Sequence, residues 1–141
     1  FVPDLNKKES KKIMIQIHKA ISNGLVKACH DCSEGGFITA VAEMAFAGEL
    51  GVDIDGDMIK TSDDTMDFAE ILFSESNSRF IVEVAPENAV AFEEIVKNCC
   101  YSKIGKVVKE PYLTITSEKS KIKIKENIKV LHEAWQKTLQ W

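Results

Sequence analysis

Arginine is almost absent from this chain. Arg79 stands alone among 17 lysines in 141 residues. One side chain can therefore grip a phosphate or carboxylate with a fixed fork, where lysine offers only a point charge. A basic excess is also missing. Eighteen basic residues face 22 acidic ones for a net charge of -4, which argues against a nucleic-acid binder with its basic stripe. No apolar run approaches the ~20 residues of a membrane span, and no signal peptide opens the chain. Phosphate-binding Walker loops, nucleophile elbows and dinucleotide fingerprints are absent, as are repeats, linkers and low-complexity tracts. Cysteine is sparse, in two close pairs, Cys29/Cys32 and Cys99/Cys100. Neighbouring cysteines seldom have the geometry to bridge. Zinc wants four ligands, and the second pair is adjacent in sequence. Half-buried or buried thiols in a reduced, cytoplasmic protein are expected.

What remains is ordinary for a globular domain: 45% hydrophobic, 28% charged, and long enough for one real core over residues 1–141. Ile13, Ile17, Ala20 and Ile21 recur at helical spacing in residues 8–23, and Gly24 sits where a glycine stops a helix. Residues 25–29 read as a short strand. Residues 37–47 form a helix that is apolar nearly all round, with Gly48 as its stop. Val52 and Ile54 alternate with acids in a strand over residues 51–55, and Gly56-Asp57 closes it. Asp53, Asp55 and Asp57 are expected to be a solvated strand face, since no oxygen-rich loop of calcium-binding length follows.

Thr61 to Asp64 should supply an N-cap for a short helix from Met66 into Phe73. Ser74 to Ser78 is a polar loop before a strand over residues 79–84. Pro86 is placed as a first-turn proline for a helix over 87–98, with Val90, Phe92 and Ile95 on its core face. Strands follow over 101–108, 112–116 and around Ile122 and Ile124, then a closing helix over 126–140 with Ile128, Leu131, Trp135 and Leu139 at helical steps. His18 and His132 should lie on the surface. The layout is α+β, a mixed sheet packed with helices.

The chain is organised around Val26-Lys27-Ala28-Cys29-His30-Asp31-Cys32-Ser33-Glu34-Gly35-Gly36-Phe37. A strand ends in His-Asp, and two glycines open an apolar helix. Such a corner is expected to leave backbone N–H groups unpaired and aimed at one spot, where the helix dipole favours an anion. A phosphate fits there, and Asp31 could hold its magnesium through carboxylate oxygen. A purely structural strand-turn-helix serves the local physics as well. His30 reads as a ligand, a proton carrier or a hydrogen-bonded strand-end residue. Arg79, directly after the serine-rich loop, reads as an anion grip or a surface ion pair.

Several separated motifs, in order, resemble phosphoribosylformylglycinamidine synthase. They are His30-Asp31-Cys32-Ser33-Glu34-Gly35-Gly36, Ala42-Glu43-Met44-Ala45-Phe46-Ala47-Gly48, Leu72-Phe73-Ser74-Glu75-Ser76, Arg79-Phe80-Ile81-Val82-Glu83-Val84, Ile104-Gly105-Lys106-Val107 and a final helix with Trp135. Glu34 stands where aspartate is common and Phe37 where leucine is common. Relatives in the aminoimidazole ribonucleotide synthetase-like superfamily carry variants of the first motif.

The resemblance implies the C-terminal domain of the second half of a two-half enzyme, an ATP-dependent ligase of purine biosynthesis. Formylglycinamide ribonucleotide becomes the amidine: ATP turns the amide oxygen into an iminophosphate, and ammonia from glutamine displaces the phosphate. ATP or ADP and Mg2+ are the implied cofactors. The implied partners are N-terminal synthetase domains, a glutaminase subunit and a small accessory subunit, with no nucleic acid and no membrane. By position, Asp31 matches a magnesium ligand and Ser33 a nucleotide contact. Gly35 and Gly36 would admit phosphate to the backbone, with His30, Glu75, Ser76 and Arg79 at the cleft. The family's catalytic histidine belongs to the N-terminal domain, so no catalytic residue is expected here. The opening Phe1-Val2-Pro3-Asp4, without methionine, fits a fragment. The apolar helix should be partly covered by neighbouring domains. The alternatives are a non-catalytic binding or regulatory module, told apart by the upstream reading frame, and another ATP-using enzyme of the superfamily, against which the Ala-Glu-Met-Ala-Phe-Ala-Gly helix argues.

Overall fold

Lysines on one side and isoleucines on the other make residues 7–22 an amphipathic helix, α1 (Lys7–Ser22). In this computed structural model, which describes residues 5–61 and 66–137, the Asn6 side chain accepts from Glu9 N–H at its start. The helix ends in a Schellman motif. Gly24, at φ +69°, donates to Ile21 C=O, and Leu25 donates to Ala20 C=O. Ser10 and Ala20 lie on the buried stripe, whereas Ile21 is exposed.

The chain divides into two compact units: Phe1–Ala40 with Leu72–Tyr101, and Val41–Ile71 with Ser102–Trp141. In the first, β1 (Val26–Asp31) pairs antiparallel with β3 (Phe80–Val84). A two-stranded ribbon is marginal by itself, and the unit also packs α1 against α4 (Ala89–Val96). Pro86 opens a 3-10 turn, Pro86–Asn88, ahead of α4. Proline lacks the N–H that a first turn leaves unpaired anyway. The helix is shorter than its apolar pattern suggests, and Val90 is 81% exposed while Val96 is buried. The stripe runs through Ala89, Phe92 and Val96, so Val90 falls a quarter turn outside it.

In the second unit the strand order is β4 (Gly105–Val108), β2 (Gly51–Asp55), β5 (Tyr112–Ser117), β6 (Ile122–Asn127). The pair β2–β5 is parallel and the other two pairs are antiparallel, so this sheet is mixed. Period-two alternation puts Leu113, Ile115 and Ser117 on the buried face and leaves Thr114 and Thr116 half-exposed. The expected α+β layout holds, with its strands divided between two sheets. Residues 101–104 lie outside any strand, and β6 runs through Glu126 and Asn127 before α5 (Ile128–Lys137) begins. Leu139 lies outside the described residues.

Helix α2 (Gly36–Gly48) has Phe37, Ala40, Val41 and Ala45 buried. Gly48 is its last residue, as expected, but the left-handed position falls one residue later. Glu49 takes the left-handed conformation, φ 53°, donating to Phe46 C=O, while Leu50 donates to Ala45 C=O. This repeats the end of α1 with glutamate where glycine is the unstrained choice. Helix α3 (Phe68–Phe73) begins later than its apolar residues suggest. Asp67 Oδ1 accepts from Glu70 N–H at 2.8 Å and Glu70 Oε2 from Asp67 N–H at 3.0 Å, a reciprocal cap. Of the expected Thr61–Asp64 cap, residues 62–64 lie outside the described residues.

His132 is not a free surface histidine. Its ring stacks on Phe46, centroids 4.8 Å apart, and Trp135 Nε1 donates to Glu43 Oε1 at 2.9 Å. His18 is exposed as expected. Among the described residues no helix is long and apolar enough to cross a membrane.

Asp57 is more than a solvated acid. Its Oδ1 accepts from Ser117 Oγ at 2.6 Å, and its Oδ2 from Glu118 and Lys119 N–H at 2.9 and 3.3 Å. One carboxylate thus closes the β5–β6 turn. The Ser117 bond, then those backbone donors, hold its carboxyl below the usual range. A depressed carboxyl stabilises the fold above its unfolded pKa of about 4, and that contribution disappears as pH falls through the lowered folded value. Urea midpoints of wild type and Asp57→Asn should differ at pH 7 and converge toward pH 2. A gap that stays constant with pH would contradict a role for the charge.

Candidate nucleotide-phosphate corner

Antiparallel pairing brings the two halves of the candidate site together. Asp31 at the end of β1 lies opposite Phe80 at the start of β3. The loop 74–79 that feeds β3 is thereby placed beside the corner 30–36, and Cys32 N–H donates to Arg79 C=O at 2.9 Å. All eight expected site residues, His30, Asp31, Ser33, Gly35, Gly36, Glu75, Ser76 and Arg79, belong to these two segments of the first unit.

Alternation along β1 exposes Lys27, Cys29 and Asp31 and half-buries Val26, Ala28 and His30. The Asp31 side chain is 62% exposed, open to water at the strand end. His30 Nδ1 donates to the Asp31 carbonyl oxygen at 2.7 Å and lies 3.7 Å from Asp31 Oδ1. A carbonyl only accepts, so the proton is on Nδ1. The strand-end reading of His30 is the one the geometry supports.

Ser33 to Gly36 form a tight turn closed by Gly36 N–H to Ser33 C=O at 3.0 Å. Gly35, at φ +77°, fills the third position, where a type II turn calls for glycine. Gly36 follows at φ +69°, and a β-carbon there would sit 2.6 Å from the Phe73 carbonyl carbon and 2.8 Å from Ser74 O. Its lack of a side chain is what lets the α2 start pack on the end of α3. The atoms nearest to a β-carbon on Gly35 would be those of the Thr39 side chain, whose hydroxyl donates to Gly35 C=O at 3.0 Å.

The two glycine N–H groups are not vacant donors, contrary to the sequence expectation. Gly36 N–H is used by the turn, and Gly35 N–H donates to Glu75 Oε1 at 2.9 Å. Arg79 Nη1 donates to Ser74 O at 3.1 Å and to Ser74 Oγ at 2.8 Å, bracing the loop across its own width. Ser78, at φ 63°, has its hydroxyl on buried Ser10 Oγ at 2.7 Å, tying the loop to α1. Ser76 is half-buried in the same loop. Ser10, Thr39, Ser74 and Ser78 were not among the site residues expected from sequence. Ser74 and Ser78 carried a local signal as the ends of the polar loop, and Thr39 stands one helical turn after Gly35.

Four cysteines are free, and no group of three metal-ligating side chains forms among the described residues. An extended strand separates Cys29 and Cys32 by roughly 10 Å, beyond disulfide reach. Desolvation, then Asp31, pushes the Cys29 thiol up. Desolvation also raises buried Cys32, with Arg79 opposing it. Both stay protonated and unreactive near neutrality.

The two glycines should respond differently to substitution. Gly35→Ala is expected to cost about 1–2 kcal/mol for the left-handed conformation alone, with the contact to the Thr39 side chain added to it. Gly36→Ala adds a clash with fixed backbone and should cost about 3 kcal/mol or more. Chemical denaturation measures both, and equal costs would contradict the packing role of Gly36.

Comparison with known proteins places the chain in a family. Residues 3–118 match the family described as AIR synthase related protein, C-terminal domain. Phosphoribosylformylglycinamidine synthase subunit PurL of Lactobacillus acidophilus is 33% identical over 129 residues, 92% of this chain and 16% of that protein. The Synechocystis sp. subunit is 38% identical over 119 residues, 82% of this chain and 15% of that protein. This chain therefore spans about one sixth of the length of those curated relatives. Thermotoga maritima PurL complexed with ATP superposes with a TM-score of 0.76 at 24% identity, covering 86% of this chain and 21% of that one. Hydrogenase maturation protein HypE superposes at 0.67 with 12% identity, covering 82% and 41%. Likeness at such identities shows a shared fold, and the match over residues 3–118 shows more: the chain belongs to the AIR synthase related protein family, as its C-terminal domain.

Proposed function

We propose that residues 1–141 act as one domain of a phosphoribosylformylglycinamidine synthase, contributing a magnesium–nucleotide phosphate corner to a site shared with the N-terminal synthetase domains. The enzyme would make formylglycinamidine ribonucleotide from formylglycinamide ribonucleotide with ATP and glutamine-derived ammonia, in the cytoplasm. The observation that carries this reading is the exposed Asp31 carboxylate at a strand end, beside a two-glycine turn held by the 74–79 loop. The curated relatives are named as subunits of that synthase. A Thermotoga maritima homologue is described in complex with ATP, and a PurLQS structure from the same organism superposes with a TM-score of 0.77. A glutaminase and a small accessory subunit are the partners this suggests.

The donor set fits magnesium in part. Mg2+ keeps several waters and is commonly held by one or two carboxylates plus substrate phosphates. Asp31 would supply the one carboxylate, and the rest of the shell would come from phosphate, water and the synthase's other domains. Bound there, the ion would neutralise and orient phosphate oxygens. The chain's own work is positional. Ser33 offers a hydroxyl at the turn, and His30, through its bond to the Asp31 carbonyl, steadies the strand end that carries Asp31. Gly35 and Gly36 would bring the turn's backbone to the phosphate, their left-handed conformations shaping it and their missing side chains letting it pack on Thr39 and the Phe73–Ser74 backbone. Arg79 and Ser76 shape the facing loop.

Two expectations follow. The isolated chain should show no ATP-dependent amidine formation, and calorimetry should find no micromolar affinity for Mg-ADP. Measurable turnover or micromolar binding by the 141 residues alone would overturn the shared-site reading. In a full-length synthase carrying this domain, Asp31→Asn should weaken Mg-nucleotide binding by about tenfold or more, the scale of one lost metal ligand. Unchanged binding would remove Asp31 from the site.

A further inference from the structure

Gly35 N–H is a corner donor that already carries an anion, and the anion belongs to the chain. Its partner, Glu75 Oε1, comes from a residue 40 positions away. Glu75 is exposed, so its side chain can swing into water at little cost. The backbone beneath it cannot follow. Arg79 fastens Ser74 through two bonds. Ser78 is fastened to buried Ser10. Gly36 is packed against the Phe73–Ser74 backbone. Among these struts the Glu75 side chain is the piece that can move without breaking another contact.

A phosphate oxygen and a carboxylate oxygen want the same N–H and repel one another at contact distance. They cannot share the Gly35 donor. We propose that Glu75 is an internal stand-in anion. It occupies the Gly35 donor in the empty domain, keeps the glycine turn in shape, and is displaced when a phosphate group arrives. Glu75 is then a competitor of the ligand rather than one of its contacts, and the apparent affinity of the corner is lowered by the strength of the Glu75 bond. This inference rests on the phosphate reading above, and its test separates the two.

Pyrophosphate is titrated into a full-length synthase in which this domain alone is 15N-labelled, wild type and Glu75→Gln, with backbone amide shifts followed by NMR. Glutamine keeps an acceptor for Gly35 N–H and so preserves the brace, but it removes the charge. The expected result is tighter pyrophosphate binding in Glu75→Gln by about three- to tenfold, the scale of one exposed charge-assisted hydrogen bond, with Gly35 the most shifted amide. Glu75→Ala should bind at least as tightly as Glu75→Gln while its spectrum stays folded. Equal or weaker binding in Glu75→Gln, with the corner amides still responding, overturns the stand-in role and leaves the phosphate corner intact. No response at the corner in either protein overturns both.

Discussion

Everything at the candidate site depends on a close approach of two backbones. Gly36, in the left-handed region and without a side chain, lies against the carbonyl groups of Phe73 and Ser74. That contact fixes the start of α2 relative to the loop 74–79. Once the spacing is set, a glutamate in the loop reaches Gly35 N–H, Cys32 N–H reaches Arg79 C=O, and Asp31 is left facing water at the end of its strand. A methyl group at position 36 would push the two segments apart and loosen every one of these bonds. The glycine pair therefore serves packing first, and any phosphate chemistry is built on that packing.

The second unit is organised by a different constraint. Leu113 and Ile115, 2% and 0% exposed, sit in the middle strand pair of a sheet that needs a fixed register. One carboxylate, Asp57, locks the turn leaving β5 through Ser117 and two backbone donors. The two units thus use the same device, an acid side chain that collects backbone N–H groups. In one it closes a hairpin. In the other it sits where a ligand could compete.

Period and punctuation were legible in the sequence wherever one residue decides the local geometry. Gly24 ends α1, Pro86 opens the turn before α4, and the acid-alternating residues 51–55 form β2 over the expected span. Legibility failed where two positions decide together. Glu49 takes the left-handed site next to Gly48, and Asp67 and Glu70 cap each other and so delay α3. Val90 is apolar but a quarter turn off the stripe, and His132 is drawn onto Phe46 by a partner 86 positions earlier in the chain. At the site, the residue types and their grouping in two segments were readable from the motifs. The occupancy of their donors was not. A glycine N–H aimed at solvent and one bound to a distant carboxylate have the same local sequence, and only the fold tells them apart.

On this reading the corner of residues 30–36 receives a metal-bound phosphate inside a larger enzyme. Paramagnetic relaxation tests it most directly. Mn2+ with ADP is added to a full-length synthase in which this domain alone is isotope-labelled, and line broadening is mapped along it. Strong broadening is expected at Asp31, Ser33 and Gly35, with little along β6. Sharp corner resonances beside broadened ones elsewhere in the domain would contradict it.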